Sequence, residues 1–131
     1  MLKKPYTLTL KKVVKAARKA YTENRLGAQH HTECLYDYRD YNMPDIGCAI
    51  GVALPKKVCD HIANEKLMSM GMQILIQDGI LATSNEDELL LGQLQSSHDY
   101  WASGESALSA ERDFIKKLEE LENIVEERNR A

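Results

Sequence analysis

Three cysteines, four histidines and twenty carboxylates give this 131-residue chain several ways to attempt chemistry, and spacing decides among them. A structural zinc site needs ligand pairs two to four residues apart, because neighbouring side chains must converge on one tetrahedron. Cys34, Cys48, Cys59, His30, His31, His61 and His98 contain no Cys-x-x-Cys; the nearest approximations are His30-His31 with Cys34, and Cys59-x-His61. On a helix Cys59 and His61 would point about 200° apart, away from any common ion. No metal or other cofactor is therefore expected, and the cysteines read as small buried hydrophobes. Thiol catalysis would take Cys48 as nucleophile, His98 as base and Asp99 or Asp45 as orienting group. Gly47-Cys48-Ala49-Ile50-Gly51 lacks the sharp turn that exposes a nucleophile, since Cys48 heads a smooth apolar run. Gly47-x-x-x-Gly51 and Gly71 match neither G-x-x-x-x-G-K-[ST] nor G-x-G-x-x-G, so nucleotide hydrolysis on a known loop type has no support. No catalytic residue is assigned.

Binding chemistry is better represented. Tyr36, Tyr38 and Tyr41 surround Arg39 within six residues, and Tyr100-Trp101 follow His98-Asp99. Tyr, Trp and Arg are enriched at binding hot spots because they bury area at modest entropic cost and keep a polar handle. Tyrosines flanking Arg39 could also stack on a base or ring ligand. The competing reading is a hydrogen-bonded structural layer. A second candidate is electrostatic. Residues 1–25 hold eight basic side chains and one acid, Glu23, in a chain whose net charge is −3. A globally basic nucleic-acid binder is excluded, but a cationic first element on an acidic body is not. Lys11, Lys12, Lys15 and Lys19 would form its docking face for an acidic protein or, less favoured, for nucleic acid. The plainer alternative is the solvated face of an amphipathic helix.

The elements that must position these groups follow from periodicity and punctuation. Leu10, Val13, Val14, Ala17 and Tyr21 share one helical face, with Thr7 or Thr9 as cap and Leu26-Gly27 as the end. Residues 34–39 alternate aromatic and polar side chains with period two, as in a half-buried strand. Asn42, Pro44 and Asp45 are turn formers, and the small, uncharged run 47–54 reads as a second strand, giving an antiparallel hairpin. Pro55 suits the first turn of a short helix with Val58, Cys59 and Ile62 inward. Residues 68–80 stay open between helix and strand. Ser84 or Asn85 caps a helix carrying Leu89, Leu90, Leu91, Leu94, His98 and Trp101, with Glu86, Asp87 and Glu88 in its first turn, where the dipole favours acids. From Ser109 to about Arg130, Phe114, Leu118, Leu121 and Val125 mark a helix of about 33 Å, long enough to span the body or project from it. A projecting apolar seam would pair with a second copy, so a homo-oligomer through residues 109–130 is expected.

With 44% hydrophobic and 28% charged residues, the chain fits one domain, residues 1–131, in the α+β class. The expected architecture is a basic amphipathic N-terminal helix, a small antiparallel hairpin or sheet, and long C-terminal helices. No stretch approaches the roughly 20 apolar residues of a membrane span. Lys11, Lys12 and Lys15 interrupt what would be a signal h-region, and three cysteines suit a reducing compartment, so a cytoplasmic location is expected.

Three segments together resemble a family of small phage and bacterial proteins that has no established activity. They are Cys34-Leu35-Tyr36-Asp37-Tyr38-Arg39, Gly47-Cys48-Ala49-Ile50-Gly51-Val52-Ala53-Leu54-Pro55 and Leu94-Gln95-Ser96-Ser97-His98-Asp99. The family carries Cys-x-Tyr-Arg-like, Cys-Ala-Ile/Val-Gly-x-x-Ile/Leu-Pro and Leu-Gln-x-x-His-Asp segments in this order. The likeness covers about residues 34–101, and the long charged C-terminal helix departs from the family's shorter tail. The resemblance implies a phage-type protein that binds and modulates a host protein or defence complex. It also implies that Cys34, Cys48, His98 and Asp99 meet in space. With Trp101 they would make an alternative small-molecule or nucleotide pocket, or an enzyme site. The leading expectation is a non-catalytic binding protein using Tyr36, Tyr38, Arg39, Tyr41 and the lysine face.

Overall fold

The computed structural model describes residues 4–30, 35–104 and 107–130. Five helices carry the fold: α1 (Leu10–Thr22), α2 (Lys56–Asn64), α3 (Met72–Gln77), α4 (Asn85–Ala102) and α5 (Ala107–Arg130). The caps act as their chemistry requires. Thr9 accepts from the Lys12 N–H to start α1, and Ser84 accepts from the Asp87 N–H to start α4. α1 buries Leu10, Val13, Val14, Ala17 and Ala20, while Tyr21 stays half-buried at the edge of that face. α2 begins after Pro55 and buries Val58, Cys59 and Ile62, as the sequence predicts.

The sheet differs from expectation. Two-residue strands β1 (Tyr6–Thr7) and β2 (Leu81–Ala82) pair in parallel, Tyr6 with Leu81 and Thr7 with Ala82. The antiparallel hairpin predicted over 34–39 and 47–54 does not form among the described residues. Short 3₁₀ turns stand there instead, over Arg39–Tyr41 and Gly51–Ala53. The reason lies in the small residues. A Cβ at Gly47 or at Gly51 would collide with the Tyr36 carbonyl oxygen, so both glycines exist to let one loop backbone lie against another. At Gly27 a Cβ would instead meet a side chain, the ring and hydroxyl of Tyr38.

Within the core, α5 lies beside both α4 and α1. The Phe114 ring is 5.5 Å from that of Trp101 on α4, and Glu122 is ion-paired with Arg18 on α1. Phe114, Leu118 and Leu121 are buried there with Leu91, Leu94 and Trp101 of α4. The seam that would have called for a second copy is thus covered within the chain. Leu89, expected in the stripe of α4, is instead 66% exposed. No helix among the described residues is long and apolar enough to cross a membrane.

Candidate functional site

A polar relay on α4 is built around the buried His98. His98 is fully buried, and its Nε2 accepts from the Ala28 N–H at 3.1 Å. Nε2 is therefore unprotonated, and the ring proton sits on Nδ1, 3.3 Å from Asp99 Oδ1. Gln95 donates to the same Asp99 oxygen at 2.7 Å and accepts from the Ile50 N–H at 3.0 Å. The spacing 95, 98, 99 places these side chains on adjoining positions of one helical turn. From there they reach two separate loops, at Ala28 and at Ile50. The His98, Trp101 and Phe114 rings, with centroids 5.5–6.4 Å apart, close the apolar side.

Cys48 sits at the Ile50 end of this relay. Its Sγ accepts from the Gly51 N–H at 3.4 Å, and burial pushes its thiol up to about 12. This is the neutral, core form of cysteine rather than a nucleophile. Both His98 nitrogens are engaged, so neither is free to take a proton from Cys48. The structure brings Cys48, His98, Asp99 and Trp101 into one neighbourhood, as a bonded cluster that is half-exposed at Asp99. Cys34 and His31 lie outside the described residues. Gln95 is the member that sequence reasoning missed; the available signal was an amide one turn before His98-Asp99 on an apolar helix.

The aromatic candidates divide by burial. Tyr38 is fully buried and Tyr36 nearly so, which removes both from any contact surface. Tyr36 donates from its hydroxyl to the Met70 carbonyl at 2.7 Å, and burial raises its pKa well above the ordinary tyrosine value. Tyr41 remains on the surface, 52% exposed, edge-on to the Tyr38 ring. Arg39 is held on one side by the buried Asp37, with Nε–Oδ1 3.0 Å and Nη2–Oδ2 2.8 Å, and on the other by Asp60 at 2.9 Å. The period-two pattern that suggested a strand comes from a loop that turns both tyrosines inward and sends Arg39 to its two carboxylates.

The lysine face is where the sequence places it. Lys11, Lys12, Lys15 and Lys19 are all exposed on α1. They fall within an arc of about 100° opposite the buried face. Lys12 is engaged locally, donating to the Thr7 carbonyl at 3.1 Å with its Nζ 4.9 Å from the Tyr6 ring centroid. Lys11, Lys15 and Lys19 form no ion pair among the described residues. Arg18, by contrast, is committed to Glu122 on α5 through two hydrogen bonds of 3.0 and 2.8 Å.

No group of three or more His, Cys, Asp or Glu side chains suited to a metal occurs among the described residues. Compared with known proteins, the chain matches no family model, no curated protein and no solved structure.

Proposed function

We propose that this chain is a small non-catalytic binding protein that docks onto an acidic face of a partner protein through the lysines of α1. The observation that carries the reading is the set Lys11, Lys15 and Lys19, exposed, cationic and without an intramolecular counter-charge among the described residues. Successive members are four residues apart, which spaces their charges by about 6 Å along a rigid helix. Such a row raises the rate of encounter with an acidic surface and fixes its orientation. Tyr41, exposed in the loop after Arg39, is the aromatic candidate that can still make contact.

The same reading accounts for the relay. His98, Gln95 and Asp99 use their hydrogen-bonding capacity to join α4 to the loops at Ala28 and Ile50, which favours a structural role over catalysis. The resemblance of segments 34–39, 47–55 and 94–99 to a phage and bacterial family makes the proposed partner a host protein or defence complex. The test is affinity capture from a bacterial lysate with the native chain and with a K11E/K15E/K19E variant. Capture of a protein by the native chain, lost on charge reversal and weakened by added salt, is expected. Identical capture by both chains overturns the proposal, and a nucleic acid in place of a protein overturns its choice of partner.

A further inference from the structure

A cavity of about 460 Å³ opens between the 36–60 loops and α2, within the size range of small-molecule sites. Its walls are apolar where Pro44, Val52 and Leu54 line it, and three cations from separate parts of the chain, Arg25, Arg39 and Lys56, reach it. We propose that this cavity binds a small organic oxyanion, a carboxylate or phosphate monoester with an apolar body, whose head takes the place of the Asp60 carboxylate between Arg39 and Lys56.

The two carboxylates that hold Arg39 occupy unequal positions. Asp37, with an 8% exposed side chain, binds the Nε and Nη2 edge of the guanidinium through bonds of 3.0 and 2.8 Å and also accepts from the Arg39 N–H at 3.2 Å. It cannot leave without stranding a buried charge. It therefore fixes the plane of the guanidinium in advance of any ligand, as the outer partner of a binding group does. Asp60 occupies the other side. Its carboxylate lies 2.9 Å from Arg39 Nη1 and 3.0 Å from Lys56 Nζ, on a helix surface where the side chain is 38% exposed. An exposed side chain can rotate into water at small cost, so Asp60 is the exchangeable anion. Its position marks where an oxyanion is already stabilised by two cations.

A further feature favours a ligand there. Arg25 spends one bond on Glu23 at 2.6 Å and one on the Asp45 carbonyl at 3.3 Å. A guanidinium has five N–H donors, so among the described residues three remain to meet a second polar group of the ligand. The apolar wall between these cations suits a carbon skeleton rather than a free inorganic ion.

The test is a binding titration of the full chain with phenyl phosphate, phenylacetate and inorganic phosphate at matched ionic strength, read by calorimetry and thermal shift. Phenyl phosphate or phenylacetate should bind, either one alone naming the preferred head, and each more tightly than inorganic phosphate. Asp60→Asn, which removes the internal competitor while keeping its shape, should tighten binding about threefold. Lys56→Gln, at an exposed position, should weaken it by about the same factor. K11E/K15E/K19E should bind as the native chain does, which separates this site from the lysine face. The proposal is overturned by absence of binding by both organic probes, by affinity unaltered in Asp60→Asn and Lys56→Gln, or by loss of binding in the α1 variant.

Discussion

Arg128 Nη1 lies 2.8 Å from Oδ1 of Asp87, joining the last turn of α5 to the first turn of α4. The other oxygen of the same carboxylate, Oδ2, accepts from the Leu10 N–H at 2.9 Å, at the start of α1. One buried acid thus meets three helix termini. It is an anion at the N-terminal ends of α1 and α4, and it receives a cation from the C-terminal end of α5, each in the sense the helix dipoles favour.

Replacing Asp87 with Ala should therefore cost about 2–4 kcal/mol, because it leaves the buried Leu10 N–H without an acceptor and removes the charge that α1 and Arg128 share. Arg128→Ala should cost less, about 1–2 kcal/mol, since Arg128 is partly exposed and the buried Asp87, though it loses its cation, keeps the Leu10 N–H and the two helix N-termini. Urea unfolding followed by circular dichroism measures both. Equal losses in the two variants would contradict the view that Asp87 is the centre of the junction.

Two glycines should respond oppositely to the same substitution. A Cβ at Gly51 meets the Tyr36 carbonyl, which is backbone and cannot swing away. Gly51→Ala should destabilise by about 3 kcal/mol or more, at the upper end of overpacking costs. Gly92 lies mid-helix in α4, and a Cβ there meets nothing within 4 Å. Gly92→Ala should stabilise by about 0.5–1 kcal/mol through the entropy of the unfolded chain and better helix propensity. Thermal melts of the pair would decide, and a Gly51→Ala chain as stable as the native one would refute the close backbone approach.

The contrast between those glycines also shows what could be read from the chain. α1, α2, α4 and α5 were legible because caps and a 3.6-residue apolar period act locally: Thr9, Pro55 and Ser84 stand at the helix starts, and Phe114, Leu118 and Leu121 mark the buried face of α5. The 35–54 region was not, since its determinant is non-local. Gly47 and Gly51 are small on account of Tyr36, and the alternation of Tyr36 with Tyr38 arises in a loop rather than a strand. Nor could any pattern disclose a two-residue parallel pairing of Tyr6–Thr7 with Leu81–Ala82, formed across more than 70 residues of chain. At the candidate site, the meeting of Cys34, Cys48, His98 and Asp99 is what the resemblance implies, and Cys34 lies outside the described residues, whereas Gln95 and the bridging role of Asp87 became visible only once the helices were placed.

The interior of the relay makes a prediction about alkaline pH. Burial holds the Cys48 thiol up near 12, against an ordinary thiol value near 9. Between those values the unfolded chain releases a proton that the folded chain keeps. Stability from this group is therefore fully present below pH 9 and is lost as pH rises toward 12, with a slope approaching about 1.4 kcal/mol per pH unit. Cys59, also pushed up to about 12 chiefly by burial, adds a second contribution of the same sign. In a Cys34→Ser background, the urea midpoint should fall from pH 8.5 to 10, and Cys48→Ala should remove about one proton's share of that slope. The same background answers the question of thiol chemistry. With Cys59 also changed to Ser, Cys48 should resist a thiol-specific reagent at pH 8 until urea unfolds the chain. Rapid labelling of the folded protein would mean that the thiol is accessible and ionised, and would reopen the nucleophilic role that the bonded state of His98 argues against.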